Sequence, residues 1–101
     1  MIVRAWRGWA PSEVADRYAT HYRDAVLPEL RTIPGFRGAR LLRHDAAGET
    51  EFVSLTEFDD LAAIRAFAGD DPEVAVVAEE ARRVLTRFEQ RVTHYEVAVG
   101  A

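Results

Sequence analysis

Residues 51–72 place a strand, a capped helix and a helix stop in direct succession, and few folds accept that order with this pattern of apolar side chains. In Glu51-Phe-Val-Ser-Leu-Thr-Glu-Phe58, alternation sends Phe52 and Phe58 to one strand face and Val53 and Leu55 to the other. A strand with apolar residues on both faces needs cover on both sides. Asp59 or Asp60 can accept hydrogen bonds from the free amides of the next helix, and both acids suit its positive end. Leu61, Ile64, Phe67 and Ala68 then recur at helical spacing, a stripe that packs back onto the strand. Gly69 and Pro72 stop the helix.

The rest of the chain repeats these signals. Ile2-Val-Arg-Ala-Trp-Arg-Gly-Trp9 reads as the first strand, with Ile2, Arg4 and Trp6 on one face and Val3, Ala5, Arg7 and Trp9 on the other. Pro11 suits a first helical turn, and residues 12–27 form the first helix, with Val14, Ala15, Tyr18, Ala19, Tyr22, Ala25 and Val26 as its buried stripe. His21 lies at the edge of that stripe. Pro28 kinks or ends the helix, with a short turn over 28–31, and Ile33-Pro-Gly35 is a turn. Residues 36–44 make the second strand, and 45–49 the hairpin loop into the third. After Pro72 the spacing predicts a helix over 73–87, then a last strand over 92–99 with Tyr95, Val97 and Val99 on its apolar face and His94 and Glu96 opposite. The order β, α, β, β, α–α, β is the ferredoxin-like arrangement: an α+β fold in which helical crossovers cover one face of a four-stranded antiparallel sheet.

One domain accounts for all of residues 1–101, with one small core. There is no cysteine, which excludes disulfides, thiolate metal sites and cysteine nucleophiles. All 13 basic residues are arginine, so Schiff-base chemistry on lysine is excluded as well. A net charge of −4 with scattered arginines argues against a nucleic-acid partner. No apolar run reaches membrane-spanning length and the first residues enter a strand directly, so neither a membrane span nor a signal peptide is expected, and the cytoplasm is the default location.

Crossovers can cover only one sheet face, yet the first and third strands are apolar on both. A lone subunit would expose Trp6 with Phe52 and Phe58, or else the opposite set. Two sheets packed face to face across a two-fold axis remove that patch, so the sequence predicts an obligate homodimer.

Trp6-Arg7-Gly8 followed by Pro11-Ser-Glu, the Ile33-Pro-Gly-Phe-Arg-Gly38 turn, the Phe58-Asp-Asp-Leu-Ala-Ala-Ile-Arg-Ala-Phe unit and the closing His94-Tyr-Glu-Val97 resemble the antibiotic biosynthesis monooxygenase family. The resemblance implies a dimeric α/β barrel with a pocket between sheet and helices in each subunit. It also implies a cofactor-independent monooxygenase or related tailoring enzyme, which oxidises an aromatic, polyketide-like molecule with dioxygen. The family's haem-degrading branch carries an asparagine, a tryptophan and a haem-ligating histidine where this chain has Arg7, Phe67 and the Val77-Ala78 region, a departure that argues against haem degradation.

Such an oxidation needs a base to make an electron-rich anion and donors to hold the oxyanion. His21 fits the base, and Tyr22 and Arg7 the oxyanion contacts. Tyr18, Trp9 and Phe67 would pack aromatic rings, and Glu57 would pair with Arg7, because the first and third strands are expected to be adjacent and parallel with both residues facing the helices. Each feature also has a plain structural reading: a rim histidine, core tyrosines and aromatics, and an ion pair near a strand end. His21, His44 and His94 have no metal-ligand spacing and no glycine-rich phosphate loop is present, so no metal or nucleotide cofactor is expected. The rival to an enzyme is a non-catalytic dimeric ligand-binding or accessory module using the same pocket.

Overall fold

The computed structural model describes residues 1–101. Alternating burial marks the strands that carry the fold. β1 (Ile2–Pro11) and β3 (Glu49–Phe58) lie side by side in the sheet centre and bury every second residue. They run antiparallel, with Trp6 opposite Ser54 and Gly8 opposite Phe52, so the parallel pairing expected from the sequence is not what forms. β2 (Phe36–Ala46) pairs with β3 through a tight hairpin at Ala47 and Gly48 and forms one edge.

The other edge is a strand in two pieces, each antiparallel to β1. β4 (Arg87–Phe88) pairs with Gly8 and Trp9, and β5 (Thr93–Glu96) pairs with residues 2–5. Between the pieces the chain leaves the sheet to pair with residues 73–75: Val74 bridges Arg91, Ala75 N–H donates to Gln90 O and Val92 N–H to Glu73 O. The helix expected over 73–87 is therefore reduced to α4 (Glu79–Val84). Backbone groups at 73–75 are committed to long-range pairs, and the β-branched residues of Val74-Ala-Val-Val77 are weak helix formers. The last strand is likewise shorter than expected, and Val99 is fully in solvent.

Helices cover one sheet face. After a single 3₁₀ turn (Ser12–Val14), α1 (Ala15–His21) passes into a π-helical turn (Tyr22–Val26) and then α2 (Leu27–Leu30). Pro28 explains the widening: it has no N–H to give Asp24 O, and its ring would press on that carbonyl. The helix continues by an i→i−5 bond from Leu27 N–H to Tyr22 O. α3 (Leu61–Ala68) starts at Asp60, whose Oδ1 accepts from Ala63 N–H at 2.9 Å, and stops at Gly69, where φ is +89°. Such a cap contributes about 1 kcal/mol. Asp59, the other capping candidate, instead pairs with Arg37 at 2.6 Å.

Two apolar clusters form under the helices. One gathers Trp6, Tyr18, Tyr22, Phe52, Val84 and Leu85; the other gathers Leu30, Phe58, Ala63 and Ile64. The opposite sheet face, with Val3, Ala5, Arg7 and Trp9 from β1 and Val53, Leu55 and Glu57 from β3, carries no helix. No helix is long and apolar enough to cross a membrane.

Candidate functional site

A cavity lies along the seam between the two clusters. Its water-accessible space is small, about 40 Å³. β1 supplies Arg4 and Trp6, β3 supplies Ser54 and Thr56, and the first helical stretch supplies Tyr18, Tyr22, Val26 and Leu30. Phe67, Val76 and Val92 close it. Its polar wall follows from the strand period: Thr50, Ser54 and Thr56 share the covered face of β3 with Phe52 and Phe58.

The π turn positions the central contact. Tyr22 opens that turn and is 5% exposed, and its hydroxyl lies 2.8 Å from the Ser54 hydroxyl, tying helix to sheet through the cavity. Burial raises the phenol pKa of Tyr22, against a smaller opposite pull from its bond to Ser54. Burial, with a lesser contribution from Tyr22, raises Tyr18 further. Both phenols therefore stay protonated through the neutral range and act as hydrogen-bond donors, not bases. Tyr18 packs on Phe52 with ring centroids 4.9 Å apart, and Trp6 anchors the far wall through Nε1–H to Glu89 O at 3.0 Å.

Arg4 is the residue that sequence reasoning passed over. It is 4% exposed, lines the cavity and lies over the Phe67 ring at 5.7 Å. Burial lowers its pKa to about 10. The available signal was its place two residues before Trp6 on one strand face.

The structure brings together Tyr18, Tyr22 and Phe67 of the residues expected at the site. His21 packs beside Tyr18 at 6.1 Å between centroids but is not part of the lining, and its buried Nε2 has no hydrogen-bond partner. Arg7, Trp9 and Glu57 stand on the uncovered sheet face, not toward the helices. Arg7 pairs with Glu51 at 3.5 Å and Glu89 at 3.7 Å rather than with Glu57. Trp9 is stacked by Arg87, 3.9 Å from its ring centroid. His94, placed by alternation opposite Tyr95 on the last strand, turns to the covered face, with Nε2 3.2 Å from Arg4 Nη1.

Comparison with known proteins gives three results. The family model described as antibiotic biosynthesis monooxygenase matches residues 1–78. No curated protein sequence matches the chain significantly. Among solved structures, a Bacillus cereus protein assigned provisionally as an antibiotic biosynthesis monooxygenase superposes with a TM-score of 0.71 at 10% identity, covering 100% of this chain and 94% of that one. An arginine-to-serine variant of MhuD with two manganese protoporphyrin IX molecules per active site superposes with a TM-score of 0.70 at 20% identity, covering 100% and 98%. At these identities the superpositions speak to the fold.

Proposed function

From the premise that the chain belongs to the antibiotic biosynthesis monooxygenase family, we propose that it is a cofactor-independent oxygenase acting on an aromatic, polyketide-like molecule in the cavity between sheet and helices. The observation that carries this reading is the Tyr22–Ser54 hydroxyl pair set among Trp6, Tyr18 and Phe67, a polar handle within an aromatic lining. Aromatic walls suit a flat ring system, and a neutral buried phenol suits a developing oxyanion.

In this reading a base removes a proton from the substrate, and Tyr22 donates to the oxygen on which the negative charge settles. The anion gives one electron to dioxygen, the resulting radicals combine, and loss of water leaves a carbonyl. The balance is R₂CH₂ + O₂ → R₂C=O + H₂O. We assign the base to His21, which packs on Tyr18 behind the lining and whose buried Nε2 has no hydrogen-bond partner; its role requires that substrate entry bring it within reach of the proton. A space of about 40 Å³ holds water, not an anthracene skeleton. Entry of substrate therefore displaces the wall at residues 69–78, which carries Val76 and lacks a helix.

A porphyrin such as the MhuD variant holds does not suit this lining. No histidine is among the cavity residues, and Val77 and Ala78 offer no metal ligand.

The same reading makes the protein a homodimer joined through the uncovered sheet face. That face presents Val3, Ala5, Val53 and Leu55 together with charged Arg7 and Glu57, apolar enough in its centre to associate and polar enough at its margin to set register.

The test is incubation of the protein with anthrone in air, following quinone absorbance and oxygen uptake against a buffer blank. Protein-dependent quinone formation that falls in Tyr22→Phe supports the reading. Ligand-induced melting shifts without oxygen uptake would replace the oxygenase with a binding module.

A further inference from the structure

Arg4 holds a positive charge at the cavity wall with no negative partner. None of the ion pairs in the protein includes it. Its Nη1 donates to Pro72 O and to His94 Nε2, and its Nη2 donates to Val74 O at 2.7 Å. A guanidinium has five N–H groups and no acceptor; these contacts occupy three and leave two, and Arg4 is one of the residues that line the cavity.

The contact with His94 also fixes that side chain. Arginine can only donate, so His94 Nε2 must present a lone pair. The imidazole is therefore neutral, with its proton on Nδ1. Glu73, the acid that acts on His94, is exposed and tied to Arg91 at 3.6 Å. Carbonyl dipoles and the Phe67 ring partly offset the charge, but a buried cation without a counter-ion is costly to keep. The arrangement lacks one component, an anion.

We propose that Arg4, with His94 beside it, forms a subsite for an anionic oxygen group of the ligand, a carboxylate or an ionised phenol, so that the cavity selects acidic aromatic molecules over neutral ones of the same shape. This rests on the reading of the cavity as the ligand site. The competing structural role is that Arg4 only pins the Pro72 and Val74 carbonyls, and so holds the irregular wall closed.

The two roles separate by calorimetric titration of the intact protein with anthraquinone-2-carboxylate and anthraquinone-2-carboxamide at pH 7.5. Charge-assisted hydrogen bonds are roughly twice as strong as neutral ones, and the carboxylate is expected to bind at least about tenfold more tightly. Arg4→Met keeps the aliphatic stem and is expected to abolish the preference. Equal affinity of the wild-type protein for both probes overturns the subsite while leaving the cavity as the ligand site, and this comparison needs no variant to fold. A preference that survives in Arg4→Met also overturns it. Binding of neither probe removes the cavity reading and the subsite together.

Discussion

The hydroxyls of Tyr22 and Ser54 lie 2.8 Å apart and have no other side-chain partner, so each is the whole hydrogen-bond complement of the other's buried oxygen. Removing one strands its mate. Tyr22→Phe and Ser54→Ala are each expected to cost about 1–3 kcal/mol, the range for a buried polar group left unpaired. The double variant, with both oxygens gone, is expected to cost less than the sum of the singles. Denaturant unfolding of all four proteins checks this, and strict additivity would mean that the pair is not coupled.

Gly8 sits under the Trp6 ring. A Cβ built there would come 2.5 Å from Trp6 Cη2. Because that ring forms a cavity wall, Gly8→Ala is expected to push it off its place, at about 1–3 kcal/mol of overpacking. It should also weaken ligand binding, although residue 8 touches no ligand. Thermal unfolding and Trp emission check this, and an unshifted melting temperature with an unchanged spectrum would count against it.

The sequence was most legible where two local signals coincide. Alternation over 51–58, the Asp60 cap and the Gly69 stop all describe the same strand and helix, and all three form. Residues 73–78 were illegible for a physical reason. Their helical spacing is genuine, but the backbone partners that override it come from residues 90–92 and from the Arg4 side chain, far away in sequence. The site shows the same division. Tyr18, Tyr22 and Phe67 follow from helical stripes, whereas β1 offers a tryptophan and an arginine on each face, and composition cannot choose between Arg4 with Trp6 and Arg7 with Trp9. Gly8 breaks the tie, because its missing side chain is the room that the Trp6 ring occupies.

The uncovered sheet face makes the assembly testable. Light scattering at micromolar concentration is expected to give twice the 11.4 kDa chain mass. Leu55, on that face beside Ala5, is a position where a buried charge would be unpaired, so Leu55→Glu is expected to give single chains. A wild-type protein of single-chain mass would end the dimer proposal.

His94 carries a pH signature. Burial first, and the Arg4 charge second, lower its pKa below the ordinary imidazole value of 6.5, while Glu73 acts weakly the other way. The folded protein thus binds that proton less readily than the unfolded chain, and stability must rise with pH in this window. The contribution is complete above pH 6.5 and is lost as pH falls through the lowered folded value. Asp45, Asp59 and Asp71, whose pKa values are lowered by hydrogen-bonded partners, lose their contributions only in the more acid carboxylate range. Melting temperatures are therefore expected to rise with pH up to 6.5 and level off above it in the wild type, and to lose that rise in His94→Gln. A slope that persists in the variant would place the titration elsewhere.

His21 separates a catalytic from a structural role because the two predict opposite stability changes. A structural histidine holds something, and its loss would lower the melting temperature. Here Nε2 is buried and bonded to nothing, so His21→Ala removes an unsatisfied polar atom together with the packing of one ring on Tyr18. The desolvation relief offsets the lost contact, and the melting temperature is expected to stay nearly constant. Turnover in the anthrone assay is expected to fall at least about a hundredfold, the usual contribution of a positioned general base. The loss should be in kcat rather than KM, since the imidazole acts on the proton being removed and not on the rings that bind. If turnover is unchanged at an unchanged melting temperature, His21 is not the base.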